Sequence, residues 1–251
     1  MFTTIKARLK QGYHTGKFPR EEPVLPDRFQ GLPIISEDAT EADAVAASEQ
    51  CPVNAISIID KKPAIDLGKC IFCAKCAEVC PNIRFTSEHR LAAFSREDLI
   101  VKPGSEKLPK KKTPVEARKL LKDSLKIRQV SAGGCTACEL DINVLTTLAW
   151  DMGRFGISIE ASPRHSDVVL VTGPVTDNMK LALEKTFAAV SRPSWIVACG
   201  ACAISGGIFQ DSPVANKGAS CVAEPVMYIP GCPPHPTTIL DALLRLMGRE
   251  F

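Results

Sequence analysis

From Ile127 onward, short strand-like runs alternate with stretches of helical spacing. The runs Ile127–Val130, Ile157–Ile159, Val168–Thr172, Trp195–Ala198 and Val226–Ile229 predict strands. Residues 139–150, 177–190 and 237–248 predict helices, and in the last Ile239, Leu243 and Leu246 share one side. Strands alternating with helices predict an α/β architecture, a parallel sheet covered on both faces. In such sheets, sites form beyond the carboxyl ends of the strands.

Upstream the pattern differs. Residues 1–12 predict a short amphipathic helix with Phe2, Ile5 and Leu9 on one face and Lys6, Arg8 and Lys10 as its cations. Two readings of it stay open: a docking helix for a membrane surface or partner subunit, or a helix packed on its own domain. Residues 18–35 hold Pro19, Pro23, Pro26 and Pro33 and predict an extended arm rather than core. Asp38–Gln50 reads as a helix and Ile56–Ile59 as an alternating strand; after a turn at Asp60–Pro63, Ala64–Asp66 pairs back. Between Lys102 and Arg128, ten Lys or Arg face three acids, and Pro103, Gly104 and Pro109 mark a linker in which Lys110–Lys112 reads as solvated surface. Thr113–Glu116 reads as a capping box with proline at the first helical position, and Ala117, Leu121 and Leu125 form one face of the helix that follows. The expected organisation is a small domain with its arm over 1–102, a basic linker over 103–113 and the α/β domain over 114–251.

Composition changes this picture at one point. Hydrophobic residues at 45% and charged residues at 24% of 251 suit a globular chain, and a net charge of +3 is too small to imply nucleic acid. No run is long enough for a membrane-spanning helix, and the N-terminus has no secretory apolar core. Its basic, acid-free start suits a mitochondrial presequence, but the missing serine and the early Pro19 and Pro23 speak against one. The anomaly is eleven cysteines, an odd number, most of them in two-residue spacings. That favours thiolate ligands in a reducing compartment over disulfides.

Cys70-x2-Cys73-x2-Cys76-x3-Cys80-Pro81 is the cysteine run of bacterial ferredoxins. Short loops let one segment wrap three corners of an iron–sulfur cubane and leave the fourth to a distant cysteine. In two-cluster ferredoxins the last cysteine of each run serves the other cluster, which predicts Cys51 as fourth ligand beside Cys70, Cys73 and Cys76. Cys51-Pro52 and Cys80-Pro81 lie 29 residues apart and read as equivalent ends of a repeat, with Glu41, Ala44 and Ala47 where three further cysteines would stand. This implies a ferredoxin that has lost one of two clusters and left Cys80 an orphan; the set Cys70, Cys73, Cys76 and Cys80 stays open as the alternative. Downstream, Cys135, Cys202 and Cys232 each follow a strand, and with Cys138 they make four thiolates for a second cluster. A structural zinc site from Cys135, Cys138, Cys199 and Cys202 is the rival, but it leaves Gly231-Cys232-Pro233-Pro234 without a role. Cys199 otherwise reads as a small core residue and Cys221 as an inert thiol.

The segments C-T-A-C-E-L-D, S-P-R-H-S-D, T-G-P-V-T, G-A-C-A-I-S-G-G-I-F and Y-I-P-G-C-P-P-H-P, in that order over residues 126–251, resemble the small subunit of membrane-bound, energy-converting nickel–iron hydrogenases such as formate hydrogenlyase. That subunit is similar to the 20 kDa subunit of respiratory complex I. The N-terminal part, with its basic start, proline arm and Gly31-Leu32-Pro33, resembles the ferredoxin subunit of the same complexes.

The resemblance implies a three-layer αβα, flavodoxin-like domain preceded by an α+β ferredoxin-like domain. It implies an electron-transfer subunit with two 4Fe–4S clusters, the second held by Cys135, Cys138, Cys202 and Cys232 against a large catalytic subunit of hydrogenase or complex I 49 kDa type. Further ferredoxin-like and membrane subunits are the expected neighbours, nucleic acid is not, and the expected location is peripheral, on the cytoplasmic face of the inner membrane through those partners. No catalytic residues are expected, since the chain has no Asp-Pro-Cys-x2-Cys-x2-His run for nickel and iron. Glu139 and Asp141 are candidates to carry protons or touch the large subunit, against a plainer reading as helix N-terminal acids. Arg164 and His165 are candidates for the subunit interface or for tuning the cluster, whereas His235 reads as structural. The alternative partner lacks nickel, in a quinone-reducing or hydrogenase-related complex. The two-residue gap between Cys135 and Cys138 resembles the hydrogenase side, the complex I subunit typically having adjacent cysteines there.

Overall fold

The computed structural model describes residues 2–12, 14–109 and 111–249. Met1 at the basic N-terminus and Lys110 of the lysine run lie outside the described residues. Helix α1 (Phe2–Gln11) has no buried residue, and Phe2 and Leu9 are 88% and 80% exposed, so it is not packed on its own domain. The proline segment is extended as expected, but it is more than an arm. Phe18 is buried edge-on to His89, and Leu32 and Ile35 are buried in the core. An extended backbone still turns alternate side chains inward, so proline content alone does not keep it outside.

The ferredoxin-like half follows as β1 (Pro33–Ile35), α2 (Glu41–Gln50), β2 (Ile56–Ile59), β3 (Lys62–Asp66), α3 (Lys75–Val79), β4 (Ile83–Phe85) and β5 (Ile100–Val101). Strand β1 pairs antiparallel with β4, and β2, β3 and β5 form a second antiparallel sheet. Helix α2 starts later than expected because Thr40 caps it. The Asp43 amide donates to Thr40 Oγ1 at 3.3 Å, and the Thr40 amide donates to Asp43 Oδ2 at 2.8 Å. Both α2 and α3 end on a cysteine C-cap, Cys51 and Cys80, which gives the inferred repeat a structural form. Ala44 and Ala47, where the other half has cysteines, are fully buried.

Helix α4 (Val115–Leu121) begins without the expected capping box. Pro114 is its N-cap, and the Thr113 hydroxyl donates instead to the Arg245 carbonyl at 2.5 Å. Leu125 is not on that helix; it opens β6 (Leu125–Ser131). Lys111 is not merely solvated, since its ammonium meets Asp98 at 2.7 Å. The chain continues as α5 (Ala137–Val144), β7 (Ile157–Ile159), β8 (Val168–Thr172), α6 (Asp177–Ala189), β9 (Trp195–Cys199), α7 (Ala201–Ser205), β10 (Met227–Ile229) and α8 (Pro236–Leu246).

The five strands are parallel in the order β10-β9-β8-β6-β7. The first strand of this half thus lies between the second and third, a doubly wound order that reverses between β6 and β8. Strands β8, β9 and β10 are buried on both faces, whereas β6 leaves Lys126 and Ser131 exposed. Val168 and Leu170 pack with α4, α5 and α8, whereas Val169 and Val171 pack with α6, α7 and core residues of the ferredoxin-like half. That half therefore supplies part of the second covering layer. A bridge between Ala93 and Tyr228 extends the contact along the outer strand β10.

Candidate metal centres

Cys51, Cys70, Cys73 and Cys76 line one small cavity walled by Ala55, Ile56, Ile65 and Phe85. Burial pushes the Cys70 thiol up to about 12, and the neighbouring Cys76, Cys51 and Cys73 add to it. Cys76 is pushed up to about 11 by burial, then by Cys73 and Cys51. Backbone amides already point at these sulfurs. Ala55 N donates to Cys51 Sγ at 3.2 Å and Phe72 N to Cys70 Sγ at 3.3 Å. Phe72 and Ala74 hold left-handed backbone at φ 55° and 58°, turning the loop tightly around Cys73.

Cys80 lies apart. It is fully buried, with its thiol beside the Asp43 carboxylate. The same carboxylate accepts from the Thr40 amide and hydroxyl and from Asn82 Nδ2. These bonds, the Thr40 amide first, hold Asp43 below the usual carboxylate range. Cys80 does not line the cavity that Cys51, Cys70, Cys73 and Cys76 share.

The second set comes from three strand ends. Cys135 and Cys138 follow β6 and open α5, Cys202 lies in α7 after β9, and Cys232 follows β10. The Cys138 thiol is pushed above its ordinary range by burial first, then by Glu139, Cys202, Cys232 and Cys135. Cys202 is pushed up to about 11 by burial, Cys232 and Cys135. Cys232 rises through burial and Cys135. The four sulfurs therefore sense one another around a common space at the carboxyl edge of the sheet, with Cys135 and Cys232 exposed. Thr136, between the paired cysteines, is left-handed at φ 69°, a strained place for a β-branched residue.

Both donor sets are all sulfur, in apolar or backbone-lined surroundings, and that chemistry suits iron–sulfur clusters. Among the described residues, no group of three or more His, Cys, Asp or Glu is arranged to hold a single metal ion. Thiols raised by burial and by one another lose their protons when a cationic centre offsets the repulsion. The zinc alternative loses Cys199, which is fully buried in the core between the sheet and α8.

The other candidate residues divide. The Glu139 carboxylate accepts from the Thr172 hydroxyl at 2.6 Å, beside Cys138 and at the point where the strand order reverses. Asp141 is half-buried, which raises its pKa, and it lines a cleft of about 550 Å³ together with Cys232, Phe72 and Trp150. Arg164 and His165 are exposed in a short turn ahead of β8, at the other end of that strand from Thr172. The structure does not bring them to the cysteines. His235 caps α8, accepting from Thr237 N at 3.2 Å, and packs edge-on against Phe29 and Trp150. Cys221 is half-buried against the core.

The sequence reading missed a buried polar cluster. Asp241 on α8 lies 4.0 Å from Arg90 and 3.9 Å from Arg245. His89 Nε2 and the hydroxyls of Thr237 and Thr238 are buried nearby in sequence without a partner. Asp241, Arg245 and two threonines on a mostly apolar helix were the signal.

Residues 135–246 match the family described as NADH ubiquinone oxidoreductase, 20 kDa subunit, and residues 63–82 match a 4Fe–4S binding domain. A probable membrane-bound hydrogenase subunit, mbhJ of Pyrococcus furiosus, is 33% identical over 120 residues, 48% of this chain and 72% of that protein. The chain belongs to the 20 kDa subunit family. An uncharacterized protein of Methanocaldococcus jannaschii shares 38% identity over 130 residues, 52% of this chain and 87% of the relative. Formate hydrogenlyase subunit 7 of Escherichia coli is 36% identical over 130 residues, 52% of this chain but only 51% of that protein. As a 20 kDa-type subunit carrying a 4Fe–4S domain, the chain is an electron-transfer component of the family that contains complex I and membrane-bound hydrogenase subunits. No described helix is long and apolar enough to cross a membrane.

Proposed function

We propose that the chain holds two 4Fe–4S clusters, one on Cys51, Cys70, Cys73 and Cys76 and one on Cys135, Cys138, Cys202 and Cys232. When bound, each cluster would take up or give one electron. The chain's own residues shape the sites: backbone amides aim at the sulfurs, apolar walls exclude water, and nearby charge sets how easily an electron is held. In this reading residues 1–102 and 114–251 are the two cluster domains, joined by 103–113. The chain serves a membrane-bound, formate hydrogenlyase-like hydrogenase, passing electrons to or from the active site of a large subunit. Membrane attachment is peripheral, through partner subunits on the cytoplasmic face. Glu139 and Asp141 are proposed to face that large subunit or carry protons beside the second centre.

The observation that carries this reading is the convergence of four sulfurs from three separate strand ends, two of them exposed. An exposed cluster edge suits a centre completed by a partner. The test is anaerobic purification with a partner large subunit. Co-purification of that subunit with a brown, iron-loaded chain supports the reading; a colourless zinc protein overturns it. A partner with two Cys-x2-Cys pairs marks a hydrogenase, and one without them marks the quinone-type assembly.

A further inference from the structure

The two cysteine sites are tied together by the segment that starts at Cys202. The Ser205 hydroxyl lies 2.9 Å from the Gly68 carbonyl and 3.1 Å from the Ala201 carbonyl. Gly68 is two residues ahead of Cys70. The approach is close enough that a Cβ on Gly68 would stand 2.8 Å from Ile204 Cγ2 and 2.7 Å from Arg96 Cζ. Further along, Gln210 Nε2 donates to the Val53 carbonyl at 3.3 Å, and Val53 is two residues past Cys51. Residues 202–210 therefore touch both arms of the first site while carrying one ligand of the second.

We propose that Ser205 and Gln210 are positioning residues that hold the two cysteine sites in register, and that the Ser205–Gly68 hydrogen bond is the main bonded route for electrons between them. This rests on the two-cluster reading above. From Cys202 the route runs along the backbone to Ser205, across its hydroxyl to the Gly68 carbonyl, and through Lys69 to Cys70. The Gln210 link leads to Cys51 by a longer path. The transfer balances as one electron: the donor site is oxidised by one, the acceptor site is reduced by one, and no proton has to move. Other bonds cross the boundary, between Ala93 and Tyr228 and from Arg245 to the Ala92 carbonyl, but they meet the ferredoxin-like half far along the chain from its cysteine ligands, and side chains such as Ile204 in the shared core offer contact alone.

The test uses the full chain with its clusters, wild type beside Ser205→Ala, Ser205→Thr and Gln210→Ala. Iron content and the reduced EPR spectrum of the wild type come first; fewer than two clusters there defeats the two-cluster reading itself. With two present, three quantities are read: the rate of electron transfer between clusters after photoreduction, each cluster's potential, and hydrogen exchange over residues 66–70. Ser205→Ala is expected to lower exchange protection in that segment roughly fivefold, the worth of one lost hydrogen bond. It should also slow the transfer with both potentials unshifted, while Ser205→Thr, which keeps the hydroxyl, behaves as wild type. Gln210→Ala should slow it less. Wild-type transfer in Ser205→Ala overturns the proposed route, and unchanged protection overturns the positioning role, even with both clusters in place.

Discussion

Replacing Gly200 with alanine should empty the second centre and spare the first. Gly200 sits at φ 92°, ψ 156°, a conformation open essentially to glycine alone. Forcing another residue into it costs on the order of 1–3 kcal/mol. The added Cβ would also stand 2.6 Å from Cys138 Sγ, where non-bonded contacts settle at about 3.5–4 Å, so something must move by about 1 Å. The backbone is poorly placed to do so. Gly200 N donates to the Ile229 carbonyl and Ala201 N to the Gly231 carbonyl, each at 2.8 Å, pinning the turn to the β10 side. The sulfur must therefore leave the space it shares with Cys135, Cys202 and Cys232. Iron analysis and EPR of the anaerobically reconstituted variant should show the first centre alone, and denaturant unfolding should show a loss of about 1–3 kcal/mol. Gly12→Ala is the control: its φ is 64° but no atom lies within 4 Å of the new Cβ, so both centres should survive. A Gly200→Ala chain with full iron and both EPR signals unchanged would refute the reasoning.

Cys51→Ser should strip iron from the first centre, whereas Cys80→Ser should keep it and stay within about 1 kcal/mol of wild type, because Asp43 keeps its bonds from Thr40 and Asn82 and can accept from the new hydroxyl; iron loss confined to Cys80→Ser would reverse the assignment. Arg96 donates to both Asp66 oxygens, at 2.7 and 2.6 Å, and Asp66 in turn accepts from Gly68 N ahead of Cys70. Lysine cannot make that pair, so Arg96→Lys should cost about 1–2 kcal/mol and weaken iron retention at the first centre, read by chelator challenge. Burial raises the Asp241 carboxyl to about 6, against the pull of Arg245 and Arg90 and with Glu88 and Glu22 adding to the rise. Its folded pKa thus lies above the unfolded value near 3.9, the native state binds the extra proton, and stability falls by about 3 kcal/mol as pH rises through that window. Asp241→Asn should flatten the slope and be the more stable form at neutral pH in denaturant titrations; a slope that persists in the variant would show that other groups cause it.

The sheet was legible because β8, β9 and β10 are buried on both faces and read as apolar runs, while β6 and β7 still alternate apolar with polar residues. The expected bounds of β7 and β8 match the structure, and those of β6, β9 and β10 differ by one or two residues. The cysteine loops were legible because tight sulfur spacing has few other uses. Long-range competition was not legible. Thr113 gives its hydroxyl to Arg245 rather than to a helix start, since the C-terminal end of α8 lies beside it. Helix α5 stops at Val144, before the expected 150, where the Thr146 and Thr147 hydroxyls donate to the carbonyls three residues back. Phe18 and Leu32 are buried by an extended segment that has no periodicity to betray them. The Ser205–Gly68 link joins residues 137 apart in the chain, and no local pattern announces it.

The most direct measurement is EPR of the anaerobically purified, fully reduced chain, paired with iron and sulfide analysis, for wild type and Cys232→Ser. The wild type should show two distinct 4Fe–4S signals, and the variant should keep the one held by the ferredoxin-like half while losing the other with its iron. A single signal in the wild type, or both signals intact after Cys232→Ser, would contradict a centre built where β6, β9 and β10 end.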